Sequence, residues 1–311
     1  MVTNIVTGGS GFLGSHLIDQ LMKKGENVIC LDNFFTGNKT NIQQWLKHPK
    51  FELIRHDITE PIFLEADKIW HLACPASPLH YQQNPIKTAK TSFMGTLNML
   101  GLTKRIDAKF LFTSTSEIYG DPIEHPQTEQ YNGNVNPIGI RSCYDEGKRI
   151  AETLCFDYKN NYKCDIRIAR IFNTYGPKMN PNDGRVISNF IVQALKEESI
   201  TIYGDGKQTR SFCYVDDLIN GLTSLMNSNY QEPINIGNEF ELSIKELAYK
   251  IKSKINPNIK INYLTRSKDD PKRRRPCISK ARRNIKWEPY VNLDTGLENT
   301  ILYFRKELNI N

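Results

Sequence analysis

Thr3-Asn4-Ile5-Val6-Thr7-Gly8-Gly9-Ser10-Gly11-Phe12-Leu13-Gly14 opens the chain and decides its fold. A short β-rich run reaches three glycines spaced G-x-x-G-x-x-G, and an amphipathic helical pattern follows at once. Strand, glycine turn and helix in that order make a dinucleotide site: glycine permits the tight turn, lets the backbone approach a pyrophosphate, and leaves that charge at a helix N-terminus. The next β-rich run ends at Asp32. A carboxylate there accepts hydrogen bonds from the adenosine ribose hydroxyls and repels a 2′-phosphate, which points to NAD rather than NADP.

Outward from this unit the pattern repeats. Strands are expected near Thr3–Thr7, Asn27–Leu31, Phe51–Ile54, Lys68–Leu72, Lys109–Thr113 and Asp165–Ile171, with long helices over Ile86–Arg105 and Ser142–Asn161. Such alternation predicts an α/β fold, a Rossmann doubly wound parallel sheet. Beyond Asn173 the texture changes to turn-rich segments such as Asn180-Pro181-Asn182-Asp183-Gly184 and then to shorter mixed elements. The expected organisation is an NAD-binding domain over 1–173, with a return near 212–228 that includes a helix at Val215–Asn227. A smaller C-terminal α/β substrate-binding domain over 174–311 completes it.

Composition narrows the class. A 311-residue chain with 39% hydrophobic residues can bury a full core. The first apolar run meets glycines within a few residues, so no signal peptide or membrane span is expected, and a soluble cytoplasmic enzyme is. Seven scattered cysteines without a C-x-x-C pair, and six dispersed histidines, predict neither disulfides nor a metal site. His71, within an apolar run, reads as a core histidine. The net charge of +7 includes a basic run at Lys272–Arg275. No nucleic-acid motif accompanies that run, so a polyanionic small molecule is the better partner.

Tyr144 and Lys148 lie four apart on a predicted helix, hence on one face at roughly 5–6 Å between Cβ atoms. An adjacent ammonium favours the phenolate of a tyrosine, which lets Tyr144 take a proton from a hydroxyl while hydride leaves the same carbon. Alone, Y-x-x-x-K is a weak signal. Thr113-Ser114-Thr115-Ser116-Glu117 at the end of the predicted fifth strand, about thirty residues earlier, strengthens it.

The glycine spacing, the threonine-rich strand end and the Tyr144/Lys148 pair together resemble the extended short-chain dehydrogenase/reductases. Within that family the likeness runs nearly end to end to the UDP-glucuronate decarboxylases, or UDP-xylose synthases. It rests on Asp32-Asn33-Phe34-Phe35-Thr36-Gly37, Pro75-Ala76-Ser77-Pro78, Ser114-Thr115-Ser116-Glu117, Tyr144-Asp145-Glu146-Gly147-Lys148 and Arg170-Ile171-Phe172-Asn173-Thr174-Tyr175-Gly176-Pro177. Asn182-Asp183-Gly184-Arg185-Val186, Gln208-Thr209-Arg210-Ser211-Phe212 and the basic run before Pro276 belong to the same set.

The resemblance implies a site. For NAD it implies Gly8, Gly11, Phe12, Leu13 and Gly14, then Asp32, Asn33, Phe35, Thr36 and Gly37, with Asp57 and Ile58 at the adenine. Leu72, Cys74, Thr91, Thr113, Tyr144, Lys148 and Thr174 complete that envelope. Thr115 would hydrogen-bond the reacting hydroxyl beside Ser116, Glu117 would serve acid–base chemistry near C5 of the sugar, and Arg274 would anchor its carboxylate through two parallel hydrogen bonds. Pro75, Ser77, Lys90, Glu117, Tyr144, Tyr158, Asn173, Arg185, Tyr203, Gln208, Arg210 and Arg274 are implied for UDP-glucuronate. Asn98 falls at a characteristic helix position of the fold, or is a helix–sheet packing contact. A homodimer built from the helices over Ile86–Arg105 and Ser142–Asn161 is also implied.

The implied reaction oxidises C4, loses carbon dioxide from the resulting β-keto acid, and returns the hydride to give UDP-xylose. Rival activities are weaker on the same residues. The 4,6-dehydratases resembling this chain place an Asp immediately before the Glu, where this sequence has Ser116, a poor proton donor. A 4-epimerase would leave Glu117 and Arg274 idle. A non-catalytic NAD/sugar-nucleotide-binding protein would be expected to have lost Thr115, Tyr144 or Lys148, and all three are present. Cys74 stands where relatives usually carry Ser, and a nucleophilic role for it is not expected.

Overall fold

The computed structural model describes residues 2–265 and 273–310. Thr3–Thr7 forms β1, and the chain turns through the glycines into helix α1 at Phe12–Lys23. Strands β2 (Asn27–Asp32), β3 (Phe51–Arg55), β4 (Lys68–His71), β5 (Lys109–Thr115) and β6 (Ile166–Ile171) follow. A seventh strand, β7 at Ile234–Ile236, comes from beyond Asn173. The sheet runs β7-β6-β5-β4-β1-β2-β3, and every pairing is parallel.

Runs such as Ile5-Val6 and Phe110-Leu111-Phe112 are apolar because helices cover both faces of the sheet. Helix α2 (Thr96–Ile106) and helix α3 (Ser142–Tyr162) cover one face, where Ile5, Leu31, Ile69, Phe110 and Ile168 meet Met99, Leu100, Ala151 and Cys155. On the other face α1 and helix α4 (Val215–Asn227) enclose Val6, Cys30 and Leu111. This second cluster continues without a break into Phe190, Ile191, Leu247 and Ile251 of the later elements. Those elements include helices Val186–Leu195 and Ile244–Ile255. They also include the small sheet in which Thr209–Ser211 lies between Glu241–Ser243 and Arg273–Arg274.

Two local features differ from the sequence pattern. The helix expected over Ile86–Arg105 is segmented into Pro85–Lys90, a π-helical turn at Thr91–Gly95, and α2. In the wide turn Gly95 packs so tightly on Ile58 that a Cβ there would lie 2.4 Å from the Ile58 Cδ1. The chain that returns to the sheet brings β7 as well as the expected helix α4. Three residues are too few to show a strand period.

From β1 the order runs outward through β2 and β3, and the chain then crosses to β4 on the opposite side of β1. The crevice between the C-terminal ends of β1 and β4 is therefore the topological switch point, where open parallel sheets bind ligands. Thr7 and His71 face each other across it in register. Among the described residues no helix is long and apolar enough to cross a membrane.

Candidate active site

A cavity of about 650 Å³ opens at this switch point and extends into the C-terminal elements. Its first part is built by the opening glycines. Gly8 has φ +69°, and a Cβ on it would come 2.9 Å from the Ala73 Cα. Gly11 caps α1 without any side-chain hydrogen bond to the first turn, and that turn holds no acidic residue. Its amide groups are thus open to an anion. Gly14 does not line the cavity; it lets α1 sit on the loop, for a Cβ there would stand 2.2 Å from the Gly8 carbonyl oxygen.

Asp32 ends β2 and is buried, with Oδ2 accepting from Ser10 N–H at 2.9 Å and Oδ1 from Phe34 N–H at 2.8 Å. Its remaining lone pairs face the cavity with Asn33, Phe35, Thr36 and Gly37. A Cβ at Gly37 would fall 3.1 Å from both Asp32 carboxylate oxygens, so only glycine leaves that rim open. Asp57 lies two residues past β3; it accepts from the Asn33 side chain at 3.1 Å and pairs with Lys87. Burial pushes its carboxyl up, but Lys87, Thr59 and Asn33 hold it well below the usual carboxylate range. Lys87 was not foreseen from the sequence, because nothing local shows that the short helix Pro85–Lys90 brings it to Asp57. Ile58, Leu72, Cys74, Thr91, Thr113 and Thr174 line the same part. Asn98 donates to the Ile58 carbonyl at 2.9 Å and so acts as a packing contact. These residues fit an adenosine diphosphate moiety: free helix-end amides, an acceptor carboxylate lining the cavity, and glycine surfaces that admit backbone contact.

The cavity's centre holds the expected reactive group. Tyr144 and Lys148 are buried on α3. The Thr115 hydroxyl lies beside the Tyr144 phenol and accepts from the Glu117 amide at 3.2 Å. Lys148 donates to the Thr113 carbonyl at 2.8 Å, and its ammonium lies 5.9 Å from the Tyr144 ring centroid. Burial, more than any neighbouring charge, sets these groups: it pushes the phenol well above its ordinary value and the ammonium below its own. The expected lowering of the Tyr144 phenol by Lys148 is therefore not realised here, because the ammonium is directed to the β5 carbonyl and desolvation dominates. The Tyr81 ring stacks on that of Tyr144 at 5.2 Å and 6°.

Glu117 and Arg274, distant in sequence, form a bidentate pair: Arg274 Nη1 donates to Oε1 at 2.5 Å and Nη2 to Oε2 at 2.8 Å. Arg141, one turn before Tyr144, also donates to Oε2. Burial favours the neutral carboxyl, but the two guanidiniums outweigh it and hold Glu117 at about 2. Beside them Asp145 is buried with Oδ1 unpartnered, and burial together with the Glu117 charge pushes it up to about 7. Sequence reasoning passed over Arg141 and Asp145. The spacing of three from Arg141 to Tyr144, which puts both on one helix face, was the signal available for Arg141.

The far end of the cavity carries Pro75, Ser77, Ser116, Asn173, Arg185, Tyr203, Gln208 and Arg210. The Asn173 side-chain amide nitrogen is buried and unpartnered. Arg185 donates to the Ala76 carbonyl at 3.0 Å, Arg210 is 7% exposed, and the Tyr203 ring is half-exposed. Two expected contacts are not brought there. Lys90 is exposed at the end of its helix, and Tyr158 packs edge-on to Tyr162 against the α2–α3 core. Both point away because the face of each helix that meets the cavity is set by packing. Of the basic run, Lys272 lies outside the described residues, Arg273 is exposed, and Arg274 is turned inward.

A cavity lined by a glycine turn at the switch point of a Rossmann sheet, with a buried Thr–Tyr–Lys group at its centre, defines an extended short-chain dehydrogenase/reductase. Residues 5–300 match the GDP-mannose 4,6 dehydratase family, and the chain belongs to it. UDP-glucuronic acid decarboxylase 3 of Arabidopsis thaliana is 58% identical over 307 residues, which cover 98% of this chain and 90% of that protein. UDP-glucuronic acid decarboxylase 1 of Xenopus tropicalis is 57% identical over 304 residues, 98% of this chain and 72% of that protein. Among solved structures, UDP-glucuronic acid 4-epimerase from Bacillus cereus in complex with UDP-glucuronic acid and NAD superposes with a TM-score of 0.87 at 30% identity, over 98% of this chain and 99% of its own.

Proposed function

We propose that this protein is an NAD-dependent UDP-glucuronate decarboxylase that makes UDP-xylose. The observation that carries the reading is the buried Arg274–Glu117 pair beside Tyr144. It supports the reading because Arg274 is a cation able to take a sugar carboxylate, and Glu117 a carboxyl able to move a proton, beside the tyrosine assigned to the hydroxyl. NAD, when bound along Gly8–Asp32, supplies a hydride acceptor at C4 and returns the same hydride.

The chain's own residues do the rest. Tyr144 takes the C4 hydroxyl proton as its phenolate, a form that burial opposes and that the positive charge of a bound NAD would favour; Thr115 holds the hydroxyl and Lys148 fixes the end of β5 through the Thr113 carbonyl. The 4-ketone makes the C5–C6 bond labile, since its electron pair passes into an enolate as carbon dioxide leaves. Glu117 protonates C5, and Tyr144 gives its proton back to the C4 oxygen as hydride returns. Asn173, Arg185 and Arg210 hold the uridine diphosphate, with Tyr203 and Gln208 at the base. The cofactor belongs to the parallel-sheet domain and the nucleotide sugar to the C-terminal region.

A second reading draws on the Bacillus cereus structure: the same substrate handled by a 4-epimerase. Decarboxylases at 57–58% identity over 98% of the chain outweigh it. Ser116, buried where dehydratases carry an acid, counts against dehydration. Incubation with UDP-glucuronate and NAD, followed by mass and NMR analysis, is the test. UDP-xylose and carbon dioxide without stoichiometric NADH are expected. UDP-galacturonate, or a 4-keto-6-deoxy sugar from dTDP-glucose, would refute the reading.

A homodimer in the cytoplasm goes with this function. Ile86, Phe93, Met94 and Leu97 on one helix run and Ile150 on α3 are exposed apolar side chains, and a second copy offers the same surface for isologous pairing. Light scattering of the Phe93→Asp chain should report a monomer if that face pairs.

A further inference from the structure

Among the described residues Glu117 is the one carboxylate shared by two guanidiniums at the centre of the cavity, and the sharing is uneven. Its Oε1 meets Arg274 alone among the described residues, while Oε2 meets both Arg274 and Arg141. The two arginines come from unrelated parts of the fold. Arg274 stands on the short strand that pairs with Thr209–Ser211. Arg141 caps α3, and its carbonyl accepts from the Tyr144 and Asp145 amides at 3.0 Å each. Its guanidinium also lies 5.9 Å from the Tyr81 ring that stacks on Tyr144. Arg141 is thus fixed relative to the reacting phenol, whereas Arg274 belongs to the substrate side of the cavity.

In the state described here, Glu117 occupies the fork that the substrate carboxylate is expected to use. A second carboxylate cannot take both donors of Arg274 while Glu117 holds them. We propose that Arg141 is a positioning residue that retains Glu117 by Oε2 when the substrate carboxylate displaces it from Arg274, so that Oε1 alone is released to carry the proton for C5. This rests on the decarboxylase reading above.

The charges and atoms balance through the cycle. Two guanidiniums and Glu117 leave one positive charge, which the substrate carboxylate neutralises. With Arg274 taken, Glu117 Oε1 accepts a proton from solvent. After oxidation at C4 the C5–C6 bond breaks, its electron pair forms the enolate across C4 and C5, and C6 departs as neutral carbon dioxide. The Oε1 proton then goes to C5. Glu117, again anionic, returns to the fork of Arg274, which has just lost its anion. One solvent proton is consumed per carbon dioxide released. The groups facing Glu117 throughout are Arg141, Arg274, Asp145, Tyr81 and Tyr144.

The test compares the full chain with Arg141→Met, Arg141→Gln and Arg141→Lys in deuterium oxide, using UDP-glucuronate and NAD. The wild-type chain should place one deuterium on a single face of C5 of UDP-xylose. Arg141→Met should turn over about 100-fold more slowly, near the lower bound for a lost acid–base group, with enzyme-bound NADH accumulating and deuterium on both faces of C5. UDP affinity should be unchanged. Arg141→Lys, which keeps a charged donor for one oxygen, should restore one-sided labelling and most of the rate; Arg141→Gln gives the same reading as Met should the Met chain not fold. Wild-type rate and labelling in the Met or Gln chain would overturn the role of Arg141 alone, as would a Lys chain no better than Met. If the wild-type chain releases no carbon dioxide, the decarboxylase reading falls and this one with it.

Discussion

Thr7→Val probes the switch point itself. The Thr7 hydroxyl oxygen accepts from the Leu72 and Ala73 amides at 3.1 Å each and lies 2.9 Å from His71 Nδ1. Burial, with Lys148 nearby, pushes His71 down to about 3, so the ring is neutral. The hydroxyl, already accepting twice, donates to Nδ1, and the opposite nitrogen then donates to the Thr96 hydroxyl at 3.2 Å. Valine keeps the shape and removes the hub. Leu72 N–H retains the Thr7 carbonyl, but the Ala73 amide and His71 Nδ1 lose the only partners shown for them. An orphaned buried group costs about 1–3 kcal/mol; the ring nitrogen is buried and the Ala73 amide only half-buried, so a loss of about 3 kcal/mol is expected. For a chain this long the unfolding entropy is about 0.65 kcal/mol/K, which lowers Tm by roughly 5 °C. The Ala73 backbone abuts Gly8, so NAD binding should weaken several-fold as well. Thermal unfolding and NAD titration of Thr7→Val and Thr7→Ser check both effects, with serine expected to stay near wild type. A valine chain as stable as wild type, or a serine chain as weak as valine, would refute the hub.

Gly14→Ala places a methyl group 2.2 Å from the Gly8 carbonyl oxygen, and backbone cannot swing aside. Overpacking of about 1–3 kcal/mol and at least a tenfold loss of NAD affinity are expected by calorimetry. Arg274→Ala removes a bidentate charged contact, each bond worth about 1.5–3 kcal/mol, and should weaken UDP-glucuronate by tenfold or more while leaving UDP-glucose nearly unchanged in competition binding. Asp145, pushed up to about 7 from its ordinary 3.8, keeps a proton in the fold that the unfolded chain releases between those values. Stability therefore falls as pH rises across that window, and Asp145→Asn should raise Tm more at pH 8 than at pH 4.

Much of the fold was legible locally. Thr3–Thr7 and Val215–Asn227 appear within the boundaries their patterns indicate, because a β-rich run before glycines and a 3.6-residue apolar period report burial directly. Strand β7 was not legible, since three residues show no period and its place depends on β6 already being there. The same division holds in the site. Gly8, Gly11, Asp32, Tyr144 and Lys148 stand at spacings set by one turn or one helix. Lys90 and Tyr158 failed because a likeness of sequence does not say which face of a helix reaches the cavity.

What the sequence by itself determined is the parallel sheet, the glycine loop and the Thr115–Tyr144–Lys148 group, for each depends on contacts within one strand–turn–helix unit or between neighbouring strands. Only the tertiary structure decided the ionic centre. Arg141 reaches Glu117 from the start of α3, and Arg274 reaches it from a strand held by Thr209–Ser211. Long-range packing alone brings those charges together, and only the resulting burial sets Glu117 at about 2 and Asp145 at about 7. Desolvation and charge pairing are properties of the folded surroundings, which no residue carries in its own position along the chain.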